Sequence, residues 1–178
     1  TILTHDGSTS FATLTLDAAK HVTVKNMTIE NTGTSSGVAV IFTGGAEYNT
    51  VSNNILKVDN SSTASAVSNV VFSGTSTSIS TAAEANYNTV ANNVIDGGYY
   101  GVSIYGARNK LNTYNKILNN RFQNVYYYGI YGYYQDSIVI SGNHIDMTQR
   151  GNASADGMYL YYGHNSIFTE NYIHAPDY

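Results

Sequence analysis

Carboxylates and histidines are the side chains of this 178-residue chain that could perform acid–base or metal chemistry, because it contains no cysteine. Glycoside hydrolysis needs two carboxyl groups that face each other across the substrate, yet no two of the 12 acidic residues are adjacent in sequence. Asp96 and Asp146 are the best-matched pair, since they follow Ile95 and Ile145 at equivalent points of a repeated motif. One further repeat, with Gln123 at that point, separates them, which predicts a distance of roughly 10 Å from two strand spacings. We interpret both as solvated turn carboxylates and assign no catalytic residue.

The five histidines show no His-x-His or His-x-x-x-His spacing, and the three arginines fall at unrelated points of the repeat. Zinc and similar ions need three or four such ligands that converge on one point. We therefore expect no metal site and no cofactor. The sequence favours a role without catalysis and leaves the question of enzymatic activity open.

Tyrosine, with 17 residues, is the third chemically capable group. Gly101, Gly129 and Gly157 are equally spaced along the chain, and tyrosines recur two and four positions after them. Alternation along a strand points these tyrosines outward. With the tyrosines that precede the glycines they form a surface that we call the tyrosine face, which comprises Tyr99, Tyr100, Tyr105, Tyr127, Tyr128, Tyr131, Tyr133, Tyr159 and Tyr161.

Two interpretations of the tyrosine face stay open. Cross-strand aromatic pairs stabilise sheets, so the face could be purely structural. Alternatively, apolar rings with solvated hydroxyls suit stacking on sugars or docking of a partner protein. We expect it to bind a polysaccharide or cell-surface glycan, with a protein as the other candidate partner.

A repeated motif must position these side chains, and its nearly regular spacing is that of a solenoid. Its core is an apolar residue, two others, Asn, one other, and a second apolar residue. The copies are Val51-Asn54-Leu56, Val90-Asn93-Ile95, Ile117-Asn120-Phe122, Ile140-Asn143-Ile145 and Phe168-Asn171-Ile173. A degenerate first copy, Val24-Met27-Ile29, precedes them. The longest interval, between the copies that begin at Val51 and Val90, contains the Ser/Thr-rich stretch 61–81, which we interpret as an insertion within one coil.

Short alternating stretches separated by Gly and Asn are typical of strands, and no stretch shows helical periodicity over three turns. We therefore predict an all-β fold, a right-handed parallel β-helix of six to seven coils without substantial α-helix. Each coil would hold three short strands and stack on the next at about 4.8 Å. We expect a single domain over 1–178. The chain begins at Thr1 without a leader and ends at Pro176-Asp177-Tyr178 without a terminating element, so we expect a piece of a longer protein.

The asparagine of the motif has a structural explanation. Equivalent positions of successive coils lie on top of one another, so amide side chains can hydrogen-bond along the axis, at a turn where Asn can adopt the left-handed conformation. We predict this ladder at Asn54, Asn93, Asn120, Asn143 and Asn171. Charged residues make up only 11% of the chain, because like charges stacked at this spacing repel each other.

The composition excludes several classes of protein. A net charge of −4, with only 8 basic residues, argues against a nucleic acid or an anionic membrane surface as the partner. No apolar run approaches the ~18 residues of a transmembrane helix, so we expect no membrane insertion. The absence of cysteine also excludes a disulfide scaffold.

The run Asp156-Gly157-Met158-Tyr159-Leu160, followed by Asn165-Ser166-Ile167 and Asn171-Tyr172-Ile173, resembles the right-handed β-helix repeat of the pectate-lyase-like superfamily. That superfamily includes polysaccharide lyases, pectin-degrading hydrolases, alginate epimerases and large bacterial surface proteins. The resemblance implies a secreted or cell-surface bacterial protein that acts on, or adheres to, polysaccharide. The epimerase signature Tyr-Gly-x-Asp-Pro-His does not carry over, because Tyr128-Gly129-Ile130 is followed by Tyr131 and no Asp-Pro-His.

Our leading hypothesis is a non-catalytic segment of a large secreted or cell-surface bacterial protein, which mediates adhesion or binds polysaccharide through the tyrosine face. A polysaccharide lyase, epimerase or hydrolase of the same superfamily, with catalytic residues partly outside this segment, is the first alternative. A structural spacer rod is the second.

Overall fold

Short stretches of alternating apolar residues become β-strands along the whole chain, because a period of two places the apolar side chains on one face. A computed structural model of the protein describes residues 1–7 and 10–174. The terminal residues 176–178, on which we based the expectation of a missing chain end, lie outside that range. The strands are β1 (Ile2–His5), β2 (Ala12–Asp17), β3 (Thr23–Lys25), β4 (Thr28–Asn31), β5 (Gly37–Thr43), β6 (Thr50–Ser52), β7 (Ile55–Val58), β8 (Val67–Phe72), β9 (Thr89–Ala91), β10 (Val94–Asp96), β11 (Tyr100–Tyr105), β12 (Asn112–Thr113), β13 (Lys116–Leu118), β14 (Arg121–Gln123), β15 (Tyr128–Asp136), β16 (Val139–Ser141), β17 (His144–Asp146), β18 (Asp156–His164), β19 (Ile167–Thr169) and β20 (Tyr172–His174).

These strands form three parallel sheets, because each strand pairs with its equivalent one repeat away. Sheet 1 has the order β1-β4-β7-β10-β14-β17-β20, and sheet 3 has the order β19-β16-β13-β9-β6-β3. Sheet 2 has the order β12-β15-β11-β8-β5-β2, and β18 also pairs with β15. The chain visits sheet 2, sheet 3 and sheet 1 in turn and makes about six turns. The predicted all-β parallel β-helix is confirmed, and the described residues contain no α-helix.

The interior is built from apolar columns, one on the inner face of each sheet. In sheet 1 the column is Ile29, Leu56, Ile95, Phe122 and Ile145, all fully buried and directly paired in register. The other two sheets carry equivalent columns, and within sheet 2 Phe42 stacks on Phe72 with ring centroids 4.3 Å apart. Each such side chain contributes about 1.5–3 kcal/mol when buried, so the columns add substantially to the free energy that stabilises the stacked coils.

The equally spaced glycines Gly101, Gly129 and Gly157 stand at the beginning of the long strands of sheet 2. A Cβ atom on Gly129 would collide with the carbonyl oxygen of Gly157 in the next coil and with the side chain of Ile145. This column of glycines therefore allows successive coils to approach closely. Because the glycines are aligned, the tyrosines that follow them at equal distances along the chain are aligned too.

The Ser/Thr-rich stretch 61–81 contains the regular strand β8, so the additional residues are divided between its two sides. Most of them follow β8, because the connection from β8 to β9 is much longer than the equivalent connection from β5 to β6 in the preceding coil. Ile79 from this added segment packs with Phe11 over the outward residues of sheet 2, namely Ala12, Val38, Ile41 and Val71. The outer face of sheet 2 is thus covered in its N-terminal half and carries tyrosine in its C-terminal half. That residues 1–178 form one domain of a longer chain stays a prediction.

Candidate functional site

The five asparagines of the motif lie in one column at the turn between sheet 3 and sheet 1. The Nδ2 of each donates to the Oδ1 of the next asparagine toward the C-terminus, over 2.9–3.1 Å, from Asn54 through to Asn171. The same Oδ1 atoms also accept the backbone N–H of the preceding asparagine, over 2.9–3.0 Å. Asn54, Asn93, Asn120 and Asn143 are buried, so the hydrogen bonds among these four are shielded from water. The geometry is that of a structural ladder.

The left-handed backbone at this turn belongs to the residue before each ladder asparagine, which differs from what the sequence suggested. Asn53, Asn92 and Asn119 have φ of 56°, 56° and 53°. Asn is among the residues that tolerate this conformation most readily. Three copies of the motif therefore use two asparagines in succession, one for the turn and one for the hydrogen bonds, whereas Gly142 and Glu170 take the turn position in the last two copies, with φ of 66° and 57°.

A second asparagine ladder, which the sequence reasoning missed, lies at the turn between sheet 2 and sheet 3. Asn49 donates from Nδ2 to the Oδ1 of Asn88 over 3.0 Å, and the backbone N–H of Asn88 donates to the Oδ1 of Asn115 over 2.9 Å. All three are fully buried. The signal was present in the sequence, because each of the three follows a tyrosine and they recur with the same spacing as the first-ladder residues Asn54, Asn93 and Asn120.

Those preceding tyrosines form a stacked column of their own. Tyr48, Tyr87 and Tyr114 stack with ring centroids 4.7 and 4.9 Å apart, and His21 extends the column at 5.1 Å from Tyr48. All four have φ between 56° and 58°, a conformation that costs an ordinary side chain about 1–2 kcal/mol. Ring stacking, worth about 0.5–1.5 kcal/mol for each pair, offsets part of that cost. This column lies at a different turn from the tyrosine face.

The tyrosine face lies on the outer side of sheet 2 and on the turn that leads into it. Strand register aligns Tyr100 with Tyr128, Tyr131 with Tyr159, and Tyr133 with both Tyr105 and Tyr161. Ring stacking follows the register, with centroids 4.8 Å apart for Tyr105 and Tyr133 and 5.4 Å apart for Tyr133 and Tyr161. The structure thus brings together the tyrosines that the repeat predicted to be neighbours.

Tyr131 occupies the centre of the tyrosine face. Its ring lies 5.4 Å from that of Tyr128 and 5.5 Å from that of Tyr100 on one side. On the other side it lies 6.4 Å from the ring of Tyr133, nearly parallel at 7°, and 5.8 Å from that of Tyr159. Ser103, its equivalent one coil earlier, is buried. The result is a continuous aromatic surface across three strands.

The remaining members of the face lie at its edges. Tyr99 and Tyr127 stack at 4.9 Å in the turn between sheet 1 and sheet 2. At the opposite edge Tyr134 stacks on Tyr162 at 4.4 Å, a pair outside the predicted set that the spacing of the glycines could have identified. Exposure is greatest in the last coil, where Tyr159 is 38% and Tyr161 is 41% exposed. In the middle coil the rings cover one another.

Burial and neighbouring phenols raise the pKa of three phenols near the centre of this surface. Desolvation is the main cause that raises the pKa of Tyr131 to about 12, and the phenols of Tyr105 and Tyr133 add to it. Desolvation likewise raises the pKa of Tyr100 and of Tyr128 well above the ordinary value of 10.0. These three phenols are therefore uncharged at neutral pH, and each can both donate and accept a hydrogen bond.

Comparison with known protein families gives a match over residues 55–177, to the family described as right-handed β-helix region. This chain belongs to the right-handed β-helix family. Comparison with curated proteins and with solved structures found no significant match. The coarse resemblance to the pectate-lyase-like superfamily is consistent with this assignment, and the handedness of the predicted fold follows from it.

In this β-helix the two carboxylates singled out from the sequence lie in sheet 1, away from the tyrosine face. Asp96 is in register with Gln123 of the next coil, and its carboxylate accepts from Nδ2 of Asn124 over 2.7 Å. Asp146 accepts from the hydroxyl of Thr148 over 2.7 Å, and this hydrogen bond is the main reason that its pKa is lowered. Asp96 is thus engaged with the next coil, and Asp146 is engaged within its own turn.

Metal-ligating side chains are scattered over the part of the β-helix that the structure describes. Across residues 1–7 and 10–174 there is no group of three or more His, Cys, Asp or Glu placed to hold a metal ion. His144 and His174 lie at opposite ends of paired strands β17 and β20, where His144 meets Tyr172 and His174 meets Asp146 in register. Within the same range no helix is long and apolar enough to cross a membrane.

Proposed function

We propose that this β-helix protein binds polysaccharide through the tyrosine face, without catalysis, as a segment of a larger secreted or cell-surface bacterial protein. The observation that carries the proposal is the cluster around Tyr131, where rings from three consecutive coils meet on one outer face. Aromatic rings with polar edges are suited to sugars, which present both C–H faces and hydroxyl groups. Adhesion to a glycan surface is the role that such a binding segment would serve.

A merely structural aromatic surface is the simplest competing account, and the chain itself offers a control for it. Tyr87 belongs to a stacked column of comparable geometry at a different turn, and it is 40% exposed. If tyrosine columns only stabilise coils, substitution in either place will affect stability and leave glycan binding unchanged. If the tyrosine face binds, only substitutions there will affect affinity.

The experiment compares binding of wild type, Tyr131→Ala, Tyr161→Ala and Tyr87→Ala to a glycan array, followed by titration of the best polysaccharide. We expect Tyr131→Ala and Tyr161→Ala to weaken binding about tenfold or more, which corresponds to the loss of about 1.4 kcal/mol of contact energy, and Tyr87→Ala to bind as wild type does. Circular dichroism verifies that each variant is folded. Equal affinity of all four proteins would refute the proposal and favour the spacer rod.

Enzymatic action on polysaccharide is the second candidate, and one groove favours it. The groove lies beside sheet 1 and is lined by the carboxylates of Glu30, Asp59 and Asp96 and by Lys57. Lys57 is paired with Glu30 over 3.1 Å, and hydrogen bonds from Ser61 lower the pKa of Asp59. Release of reducing sugar, or ultraviolet absorbance from unsaturated uronate products, that is lost in Asp59→Asn and Asp96→Asn would support catalysis.

A further inference from the structure

The charge distribution around the tyrosine face restricts what it can bind. The three strands that carry most of the face, β11, β15 and β18, contain no lysine or arginine. Their only carboxylates are Asp136 and Asp156, which lie at the two ends of the face, Asp156 in register with Tyr128 and Asp136 in register with His164. An incoming polymer therefore meets neutral phenols bordered by negative charge.

Seven of the eight basic side chains of the protein lie in other sheets or are committed to other contacts, and the eighth, Arg108, lies at the edge of sheet 2, in the hairpin between β11 and β12. Lys20, Lys57 and Lys110 form ion pairs with Glu47, Glu30 and Glu84, respectively. Lys25 and Lys116 belong to sheet 3, and Arg121 belongs to sheet 1.

Arg150, which lies nearest in sequence to β18, is also engaged. Its guanidinium donates to the backbone carbonyl oxygens of Ser62 and Asn124 and stands 5.4 Å above the ring of Tyr126. It therefore ties two turns together at the edge of the β-helix.

Uronate polymers such as polygalacturonate and alginate carry a carboxylate on every sugar. Proteins recognise carboxylates with arginine or lysine, or through Ca²⁺ held by several carboxylate oxygens. Neither arrangement is found on the strands of the tyrosine face, and Asp136 and Asp156 would repel such a polymer. Uncharged sugars, in contrast, offer hydroxyl groups that can exchange hydrogen bonds with the phenols of the face.

We infer that the tyrosine face selects uncharged polysaccharide and discriminates against uronate polymers. The inference rests on the proposed function and adds the chemical class of its ligand. Rings within a column stack on one another along the axis, so a bound polymer meets mainly ring edges and hydroxyls. Full ring faces are available only at the ends of the columns, and the most exposed rings, Tyr159 and Tyr161, lie in the last strand of the face.

The test uses two pairs of polymers that share a backbone and differ in charge: polygalacturonate with its methyl ester, and carboxymethylcellulose with hydroxyethylcellulose. Affinity electrophoresis measures the retardation of wild type and Asp156→Asn in gels that contain each polymer, with and without Ca²⁺. We expect at least one uncharged polymer to bind ten times more tightly or better than its acidic partner. Asp156→Asn should reduce the ratio of the two affinities, because it should strengthen binding to the acidic polymer and leave binding to the uncharged polymer unchanged.

Three other results would overturn the inference or remove one part of it. Equal or tighter binding of the acidic polymer, or binding that requires Ca²⁺, would overturn the inference and leave the proposed function intact. An unchanged ratio in Asp156→Asn, together with tenfold selectivity, would assign the selectivity to the phenols and remove the role of the border carboxylate. Failure of the wild type to bind any of the four polymers or any glycan on the array would refute the proposed function and the inference together.

Discussion

Removal of one amide from the middle of the first asparagine ladder tests the account of how the coils are joined. Asn120 is 1% exposed and makes four side-chain hydrogen bonds. Its Oδ1 accepts the backbone N–H and the Nδ2 of Asn93, both over 3.0 Å. Its Nδ2 donates to the carbonyl oxygen of Val90 over 2.9 Å and to the Oδ1 of Asn143 over 3.1 Å. Asn120→Ala removes all four and keeps the backbone.

The expected loss in the free energy of unfolding follows from the polar groups that Asn120→Ala leaves without a hydrogen-bond partner. A hydrogen bond contributes about 0.5–1.5 kcal/mol net, and a buried donor or acceptor left without a partner costs about 1–3 kcal/mol. Asn120→Ala leaves the Asn93 donors and the Val90 carbonyl in a place that water does not reach. We expect the free energy of unfolding to fall by about 3–5 kcal/mol. For a chain of this size that corresponds to a melting temperature lower by roughly 6–20 °C.

Thermal unfolding followed by circular dichroism measures the effect, with two controls. Asn171→Ala removes the last amide of the same ladder, where the side chain is half-buried and water can replace it. We therefore expect the free energy of unfolding to fall by only about 1–2 kcal/mol. Asn109→Ala changes an exposed asparagine in the 107–110 hairpin and should lie within about 0.5 kcal/mol of wild type. If Asn120→Ala melts within about 2 °C of Asn109→Ala, roughly the shift of 1 kcal/mol, the ladder does not hold the coils together and the reasoning is wrong.

Three further predictions concern other features. Because burial raises the pKa of Tyr131 from 10.0 to about 12, the stability that its neutral phenol contributes is complete below about pH 10 and is lost as the pH rises through about 12. The free energy of unfolding, measured by circular dichroism, should therefore decline less at alkaline pH in Tyr131→Phe than in the wild type. Identical pH curves of the two proteins would contradict this. Arg150 holds the segment 59–66 through the carbonyl of Ser62, so Arg150→Ala should free that segment. Limited proteolysis with a non-specific protease should cleave the segment about 5–30-fold faster, as expected for the loss of about one or two kcal/mol of local stability. Unchanged cleavage would show that the contact does not restrain the segment. Tyr87→Gly should melt at a higher temperature than Tyr87→Ala, although it removes more side chain, because glycine adopts the φ of 57° without strain. The reverse order of the two melting temperatures would show that the backbone at Tyr87 is not strained.

The repeat made the fold predictable, since the motif places an apolar residue and an asparagine at fixed intervals. In a coil that stacks on its equivalents, such intervals translate directly into columns, and the register of Ile95 with Phe122 follows from the alignment of two motif copies. The same argument located Tyr131 beside Tyr159. Nothing beyond strand alternation and equal spacing was needed for either.

Other features could not be obtained by alignment of the motif alone. The left-handed residue at the turn is Asn119 and not Asn120, because a turn is set by backbone dihedral angles that one-letter patterns do not distinguish. The added residues of the 61–81 region lie on both sides of β8, and Ile79 in the larger part packs on the outer face of sheet 2, a contact that alignment of the motif does not contain. The groove beside Lys57 joins residues from three coils whose side chains converge only once the turns are folded.

The sequence by itself determined the architecture of this protein, because each repeat carries its own strand, turn and column residues and so encodes its neighbours. Only the tertiary structure decided which tyrosines matter together. Tyr131 and Tyr87 look alike in sequence, each one of a periodic series. The outer face of a broad sheet gathers several columns around Tyr131, whereas a sharp turn leaves Tyr87 in a single column. How many tyrosine columns share one surface depends on whether the backbone there forms a broad sheet or a sharp turn. The spacing of the tyrosines along the chain does not contain that information.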